Sequence, residues 1–178
     1  MDDLNRISVE EYKRAEKTPL TVVLDNVRSL NNIGSVFRTA DAFRVERICL
    51  CGITATPPHR DIHKTALGAE DSVDWTYYEE TYQCVEELKS QGYRVYAVEQ
   101  VDESVMLNEF RAPEGPVAIL FGNEVEGVDE EVIPLCHGCI EIPQFGTKHS
   151  LNISIAAGIL IWELWRQKED GVESLSSI

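Results

Sequence analysis

The sequence lacks the features that direct a chain into a membrane or out of the cell. None of its apolar runs is long enough to cross a bilayer, and its first residues are acidic and polar instead of forming an apolar signal region. The five cysteines are an odd number, and Cys49 and Cys51 lie in an apolar run, which favours buried thiols over a disulfide framework. We therefore expect a cytoplasmic protein with no membrane partner.

Two common nucleotide-binding signatures are also missing. No G-x-G-x-x-G follows the first strand-like run, which argues against a nucleotide-binding dehydrogenase. Gly122 and Gly127 have the spacing of a phosphate-binding loop, but no Lys-Ser/Thr pair follows them. Glu124 and Glu126, between the two glycines, would repel phosphate. A glycine-rich turn with carboxylates is better suited to a cationic or hydroxylated ligand.

Positive charge is scarce and unevenly distributed. The chain has 16 Lys+Arg against 31 Asp+Glu, a net charge of −15, which taken alone argues against a nucleic-acid partner. Residues 1–66, however, carry 10 basic and 9 acidic residues, whereas residues 67–178 carry 6 and 22. An anionic polymer would therefore have to bind the first third of the chain. The basic residues there include Arg28, Arg38, Arg44, Arg47, Arg60 and Lys64.

Strand-like and helical patterns alternate along the 178 residues, a length suited to a single domain. The patterns predict strands at residues 21–24, 47–51, 75–78, 94–99, 117–121 and 139–142, and helices at 31–40, 59–67, 81–90, 129–135 and 151–167. Residues 1–19 are expected to form a short helical extension with a capping box at Ser8, and residues 168–178 a flexible tail. Such alternation predicts an α/β fold with a mostly parallel sheet covered by helices on both faces.

Three polar stretches each follow a predicted strand, so they could share one edge of the sheet. In the first, residues 26–40, Asn31 or Asn32 would cap a helix and Arg38 would flank the same groove. Gly34 in the first turn costs about 1 kcal/mol relative to Ala, which indicates that something approaches closely there. A capped helix with a solvated arginine is the plain structural alternative.

The other two stretches are residues 120–128 and residues 143–158. The second is the glycine-rich acidic loop described above, which could also be an exposed loop without a ligand. In the third, Pro143 and Gly146 allow a tight turn, and Ser150 and Asn152 follow at a helix start. By itself this last pattern fits a capped connection between a strand and a helix.

Taken together, the three stretches resemble the three motifs of the SpoU/TrmH family of SPOUT methyltransferases. The matching residues are Asn32-x-Gly34-Ser35-x-x-Arg38-Thr39-Ala40, then Phe121-Gly122-Asn123-Glu124-x-x-Gly127, then Ile142-Pro143 with Gly146 and Ser150-Leu151-Asn152-Ile153-Ser154-Ile155-Ala156. Residues 64–69 also resemble a segment common in the family. The resemblance extends over about residues 20–165, nearly the whole chain.

The resemblance implies a C-terminal trefoil knot, S-adenosylmethionine as cofactor, a homodimer, and methylation of a ribose 2′-hydroxyl in tRNA or rRNA. The cofactor-binding residues carried over by position are Leu120, Gly122, Ile142 and Leu151. The catalytic residues carried over are Asn32, Arg38, Glu124, Ser150 and Asn152. The residues expected to contact RNA are Arg28, Arg38, Arg44, Arg60 and Lys64.

Arg38 is expected to stabilise charge instead of removing a proton, because a guanidinium stays protonated in proteins. We expect it to stabilise the developing 2′-alkoxide and to hold the adjacent phosphate. Gln144 stands where the family often has Met after Ile-Pro. A non-catalytic RNA-binding or assembly protein with the same knot is the alternative function.

No metal is expected. Cys136 and Cys139 have C-x-x-C spacing, but the spacing to Cys49 and Cys51 does not suit a four-ligand zinc site. On the last helix, Trp162 and Trp165 are predicted to be core or dimer contacts.

Overall fold

The computed structural model describes residues 6–176, and it describes side-chain surroundings for residues 6–170. The strands are β1 (Thr18–Asp25), β2 (Val45–Cys51), β3 (Trp75–Tyr78), β4 (Arg94–Val98), β5 (Val105–Met106), β6 (Val117–Phe121) and β7 (Gly138–Glu141). The helices are α1 (Val9–Arg14), α2 (Leu30–Ala42), α3 (Arg60–Ala66), α4 (Ala69–Ser72), α5 (Thr81–Ser90) and α6 (Ile153–Ser176), with a 3₁₀ turn at Ile133–Leu135.

The strands form one sheet in the order β3–β2–β1–β6–β4–β7–β5, and each neighbouring pair is parallel. Because all strands run in one direction, the loops that leave β1, β6, β4 and β7 emerge at the same edge. This edge carries the three polar stretches, as predicted. The α/β fold with a parallel sheet is therefore confirmed.

Alternating side chains of the central strands enter two separate cores, one on each face of the sheet. Val22 and Leu24 of β1 belong to the core shared with α2, α3 and α6. Val23 belongs to the core on the other face, which contains Val85 and Leu88 of α5. The prediction of helices on both faces is confirmed, and the face covered by α2 and α6 has the larger core.

Several predicted helix ends were wrong, each for a local reason. Ser29, and not Asn31 or Asn32, caps α2, since its Oγ accepts a hydrogen bond from the N–H of Asn32 at 3.2 Å. Asn32 therefore lies in the first turn of the helix. The helix predicted at residues 129–135 is only the 3₁₀ turn, because Pro134 lacks the N–H that a longer helix needs.

The two ends of the chain partly match the prediction. The capping box is present, with Ser8 Oγ accepting from the Glu11 N–H at 3.2 Å and Glu11 Oε2 accepting from the Ser8 N–H at 2.7 Å. Helix α6 begins at Ile153 and continues to Ser176, beyond the predicted end at residue 167. Residues 1–5 of the predicted extension, and residues 177–178 of the predicted tail, lie outside the described residues.

The close approach inferred at Gly34 is real, but it is made by the chain itself. A Cβ on Gly34 would lie 2.1 Å from Thr65 Oγ1 and 2.2 Å from the carbonyl oxygen of Ile62. Thr65 Oγ1 also donates to the carbonyl of Asn31 at 2.8 Å. This glycine therefore allows α2 and α3 to pack closely, and the close approach does not require a ligand.

Within residues 6–176, none of the helices combines the length and apolar character that crossing a membrane requires. The trefoil knot concerns how the chain is threaded, which the sheet order alone does not establish, so it stays a prediction.

Candidate active site

A cavity of about 480 Å³ lies at the sheet edge where the polar loops emerge. It is lined by residues 98–100 at the end of β4, residues 121–127 at the end of β6, and residues 140–142 and Gln144 at the end of β7. Residues 149–153 and Ala156, around the start of α6, close another side, and Asn32 of α2 completes the lining. The three predicted stretches therefore contribute to one site.

Asn123 ties the second stretch to the first. Its Nδ2 donates to the carbonyl of Asn26 at 2.9 Å, and its Oδ1 accepts from the N–H groups of Val125 and Glu126 at 2.8 and 3.2 Å. Asn26 itself has a left-handed conformation, with φ of 53°, and its Oδ1 accepts from the N–H of Ile53 at 3.0 Å. One amide thus holds its own loop in a turn and fixes it to the loop after β1.

Glu124 makes the second link between these loops. Its carboxylate accepts from the backbone N–H groups of Arg28 at 3.2 Å and Ser29 at 3.0 Å. Partial burial raises the pKa of Glu124, but the hydrogen bonds from Ser29 and Arg28 outweigh that effect, so its pKa lies below the usual value. Glu124 is therefore an anion that holds the chain entering α2.

Gly122 and Gly127 let the loop after β6 fold on itself. Asn123 and Gly127 exchange two backbone hydrogen bonds of 2.9 Å, which close a small hairpin. A Cβ on Gly122 would lie 2.1 Å from the backbone nitrogen of Val128. Glu99 Oε1 accepts from the Val128 N–H at 2.6 Å and occupies the space that a Cβ on Gly127 would need.

A buried carboxylate at the end of β1 was missed by the sequence analysis. Asp25, at the end of β1, is 1% exposed. It accepts from Thr81 Oγ1 at 2.5 Å, Asn26 Nδ2 at 3.1 Å and the Asp129 N–H at 3.0 Å. An acidic residue that ends an otherwise apolar strand is a signal that could have identified it, because a buried carboxylate requires such partners.

Asn152 serves mainly as the N-terminal cap of α6. Its Oδ1 accepts from the N–H of Ser154 at 2.9 Å and from the hydroxyl of Ser154 at 2.6 Å. Ser150, two residues earlier, is exposed and lines the cavity. Gln100 Nε2 donates to the carbonyl of His149 at 2.9 Å, which joins this loop to the one after β4.

Three of the four predicted cofactor residues line the cavity, namely Gly122, Ile142 and Leu151. The fourth, Leu120, does not. It is fully buried in the core on the α5 side of the sheet, and the next residue, Phe121, lines the cavity instead. The Leu120 side chain does not reach the cavity because successive strand residues point to opposite faces, and its contact with the cofactor stays a prediction.

Arg38 is the predicted catalytic residue that the structure does not bring to the cavity. It is exposed and lines a separate groove of about 730 Å³ between α1, α2 and α4. Arg6 and Arg44 line the same groove, together with Asp41 and Asp71. Asn32 and Arg38 are six residues apart, which places them about 120° apart around a helix, so within one chain they do not flank one groove.

The other basic residues predicted to contact RNA are exposed but dispersed. Arg44 shares the groove of Arg38, whereas Arg60 lines a hollow with His59 and Trp75. Lys64 forms an ion pair of 2.9 Å with Asp61. Arg28 lies beside the cavity through its backbone contact with Glu124.

Among the residues with described side chains, no group of three or more His, Cys, Asp or Glu is placed to hold a metal ion. The thiols of Cys136 and Cys139 are free, and burial raises the pKa of Cys136 to about 11.

The model of the SpoU rRNA Methylase family matches residues 19–162. The chain is 32% identical, over 168 residues, to the tRNA (guanosine(18)-2′-O)-methyltransferase of Thermus thermophilus, and the match covers 93% of this chain and 84% of that protein. It is 30% identical to the 23S rRNA (guanosine-2′-O-)-methyltransferase RlmB of Vibrio parahaemolyticus, over 93% of this chain and 66% of that protein.

Two solved structures are also similar to this chain. The A. aeolicus TrmH/SpoU tRNA modifying enzyme superposes with a TM-score of 0.80 at 28% identity, over 92% of this chain and 81% of that one. The AdoMet-bound rRNA methyltransferase from Sinorhizobium meliloti superposes with a TM-score of 0.79 at 29% identity, over 87% of this chain and 59% of that one.

Proposed function

The chain belongs to the SpoU rRNA methylase family, and from this premise we propose how its residues carry out RNA methylation. It is an S-adenosylmethionine-dependent enzyme that methylates a ribose 2′-hydroxyl of tRNA or rRNA. The observation that supports the residue roles below is the convergence of the loops after β4, β6 and β7 on one cavity. Because tRNA and rRNA are the substrates, we place the protein in the cytoplasm.

The cavity suits the cofactor in size and in lining. Its volume lies within the range of about 300–1,000 Å³ that is usual for small-molecule sites. Ile142, Leu151 and Ile153 offer apolar surface for a base, and Gly122 allows the loop that lines the cavity to fold closely on itself. When bound, S-adenosylmethionine supplies a methyl group on a positively charged sulfur. The chain's own residues must hold this group and bring the ribose to it.

Arg38 binds and orients the RNA at the reacting ribose. Its guanidinium stabilises the negative charge that develops on the 2′-oxygen and holds a neighbouring phosphate. Asn32, at the cavity wall, orients the ribose through its amide. Glu124 is a positioning residue, because it fixes the start of α2 and so the location of Asn32. Ser150 lines the path of the substrate, and Asn152 fixes the start of α6 beside it.

A homodimer formed through α6 is supported by an exposed apolar stripe on that helix. Ile155, Ile159 and Trp162 have the i, i+4, i+7 spacing of one helix face and are 55%, 37% and 49% exposed. They line a groove of about 790 Å³ that also includes Thr39. Contiguous exposed apolar surface of this kind is typical of protein interfaces.

The same dimer would bring an Arg38 side chain to the cavity, which the chain's own Arg38 does not line. Thr39 lines the groove of the apolar stripe, so its neighbour Arg38 lies at the border of the proposed interface. We infer that the partner subunit's Arg38 approaches the cavity and completes the acceptor site.

Mixing two inactive variants tests this arrangement. Arg38→Ala removes the guanidinium and Gly122→Val displaces the loop that lines the cavity, so each homodimer should be inactive. In a heterodimer, the intact cavity of one subunit would be paired with the intact Arg38 of the other, so one of the two sites would be active. Because about half of the dimers in an equal mixture are heterodimers, subunit exchange should restore up to about a quarter of the wild-type activity. No recovery after verified exchange would show that Arg38 acts within its own chain.

Direct tests of the function are donor binding and RNA mapping. We expect calorimetry to detect S-adenosylmethionine binding at one site per chain. Comparing 2′-O-methylation in RNA from cells with and without the protein should reveal a missing tRNA or rRNA modification. Donor binding with no missing modification would favour the alternative of a non-catalytic RNA-binding or assembly protein.

A further inference from the structure

The charged side chains that line the cofactor cavity are mostly negative. Four glutamates line it, Glu99, Glu124, Glu126 and Glu141, and among the residues with described side chains no lysine or arginine does. Within the same set, His149 is the one lining residue with a basic side chain. The preference for carboxylates is not explained by the RNA substrate, because an anionic pocket repels phosphate.

Three of the four carboxylates, those of Glu99, Glu124 and Glu141, accept hydrogen bonds from uncharged donors, which do not cancel their charge. Glu99 accepts from the N–H groups of Val128 and Gln100, at 2.6 and 3.3 Å, and Glu141 accepts from the hydroxyl of Ser104 at 2.6 Å. In the part of the chain that the structure describes, none of the four glutamates forms an ion pair. Hydrogen bonds of this kind fix the carboxylates in place while leaving a negative field in the cavity.

The methyl donor and the spent product differ in charge at one atom. The sulfur of S-adenosylmethionine is a sulfonium cation, whereas the sulfur of S-adenosylhomocysteine, left after the methyl group has gone, is a neutral thioether. Both molecules share the adenosine and amino-acid parts, so apolar contacts and hydrogen bonds to those parts do not distinguish them. Only an electrostatic feature near the sulfur or the loss of the methyl group itself separates the two.

We propose that the four glutamates make the cavity selective for the cationic donor over the neutral product. This inference rests on the proposed function, because it takes the cavity as the S-adenosylmethionine site. The carboxylates stabilise the bound donor through its charge and give the product no such stabilisation. Product therefore exchanges readily for fresh donor, and the enzyme is weakly inhibited by S-adenosylhomocysteine.

Calorimetry with the two ligands on the full chain tests the proposal without relying on activity. Glu126→Gln removes the charge of an exposed loop side chain, and Glu141→Gln keeps an oxygen that accepts from Ser104. The matched control is Glu86→Gln, an exposed residue of α5 that does not line the cavity. Thermal melts confirm that each variant is folded.

We expect the wild type to bind the donor more tightly than the product, and each cavity variant to reduce that ratio by about threefold. The control variant should leave the ratio unchanged, and added salt should lower it in the wild type. Equal affinities in the wild type, or an unchanged ratio in both cavity variants, would overturn the proposal. If neither ligand binds any of the proteins, the cofactor assignment fails and the inference fails with it.

Discussion

The cofactor cavity and the groove that holds Arg38 differ in charge and in the way their polar groups are used. In the cavity, Glu99, Glu124 and Glu141 accept hydrogen bonds from the chain's own backbone or hydroxyl groups. In the groove, Arg38 and Arg44 are exposed. We propose that the cavity holds the small methyl donor and that the groove leaves its arginines available for RNA.

This difference accounts for an RNA enzyme with a net charge of −15. A carboxylate-lined site suits a cationic methyl donor, and RNA needs only a confined basic surface. Substitutions in the two regions should therefore have independent effects on binding. A change in one should impair donor binding without affecting RNA binding, and a change in the other should do the reverse.

Arg38 gives the sharpest test of this independence. We expect Arg38→Ala to lower the single-turnover methylation rate by about 10²- to 10³-fold, because charge on the 2′-oxygen loses its stabilising partner. Arg38→Lys should recover only part of the rate, since a lysine lacks the planar fork of donors. Donor affinity should stay within about twofold. Near wild-type rates in both variants would remove Arg38 from the mechanism, and Arg94→Ala is an exposed control.

A substitution at Gly122 tests the role of the cavity. A Cβ at this position would meet the backbone of Gly127 and Val128 at 2.1 Å, so Gly122→Ala must displace the loop. We expect donor affinity to fall at least about tenfold while RNA affinity is kept, because overpacking costs about 1–3 kcal/mol. In the control Gly138→Ala, the new Cβ would lie 3.6 Å from the ring of Tyr96, an ordinary contact. Equal losses in both variants would argue against a specific role for the loop.

A smaller effect is expected from the dispersed arginines. The triple change of Arg28, Arg44 and Arg60 to Ala should reduce the slope of log affinity against log salt concentration by about 2–3, since each phosphate contact contributes about 0.7–0.9. Donor affinity should not change. An unaltered salt slope, measured by RNA-binding titrations at four salt concentrations, would place the RNA elsewhere.

Among changes in stability, we expect Glu124→Gln to produce a small one that depends on pH. Burial raises the pKa of Glu124, but the hydrogen bonds from the N–H groups of Ser29 and Arg28 lower it by more. The pKa of Glu124 is therefore lower in the folded protein than in the unfolded chain. The resulting stabilisation is complete above the ordinary glutamate pKa and is lost as the pH falls through the lowered value. Melting temperatures of Glu124→Gln and wild type should therefore differ at neutral pH and converge in acid. A difference that persists in acid would mean that packing, not charge, is responsible.

Much of the site could be predicted because a parallel sheet sends its loops to one edge. The convergence of the stretches carrying Asn32, Glu124 and Ser150 followed from strand–helix alternation together with the family motifs. The directions of single side chains could not be predicted in the same way. Leu120 points into the far core because strand residues alternate, and Arg38 lies on a different side of α2 from Asn32 because six residues do not complete whole turns.

The contacts that hold the loops together could not be predicted from local patterns. Asn123 joins Asn26, and Asp25 joins Thr81 and Asp129, across long separations in sequence. Gly34 shows the same limitation, since its sequence indicated a close approach but not that Thr65 would make it. Only the assembled fold decides which partners such groups meet.

The central position of β1 has a consequence for how the protein is made. On one side β1 pairs with β2, its near neighbour in the chain, and on the other with β6, which the ribosome synthesises much later. The arginine-bearing helix lies between the first two strands, whereas the loops that line the cavity follow β4, β6 and β7. The proposed donor pocket therefore cannot be complete before these later strands have left the ribosome and joined the sheet.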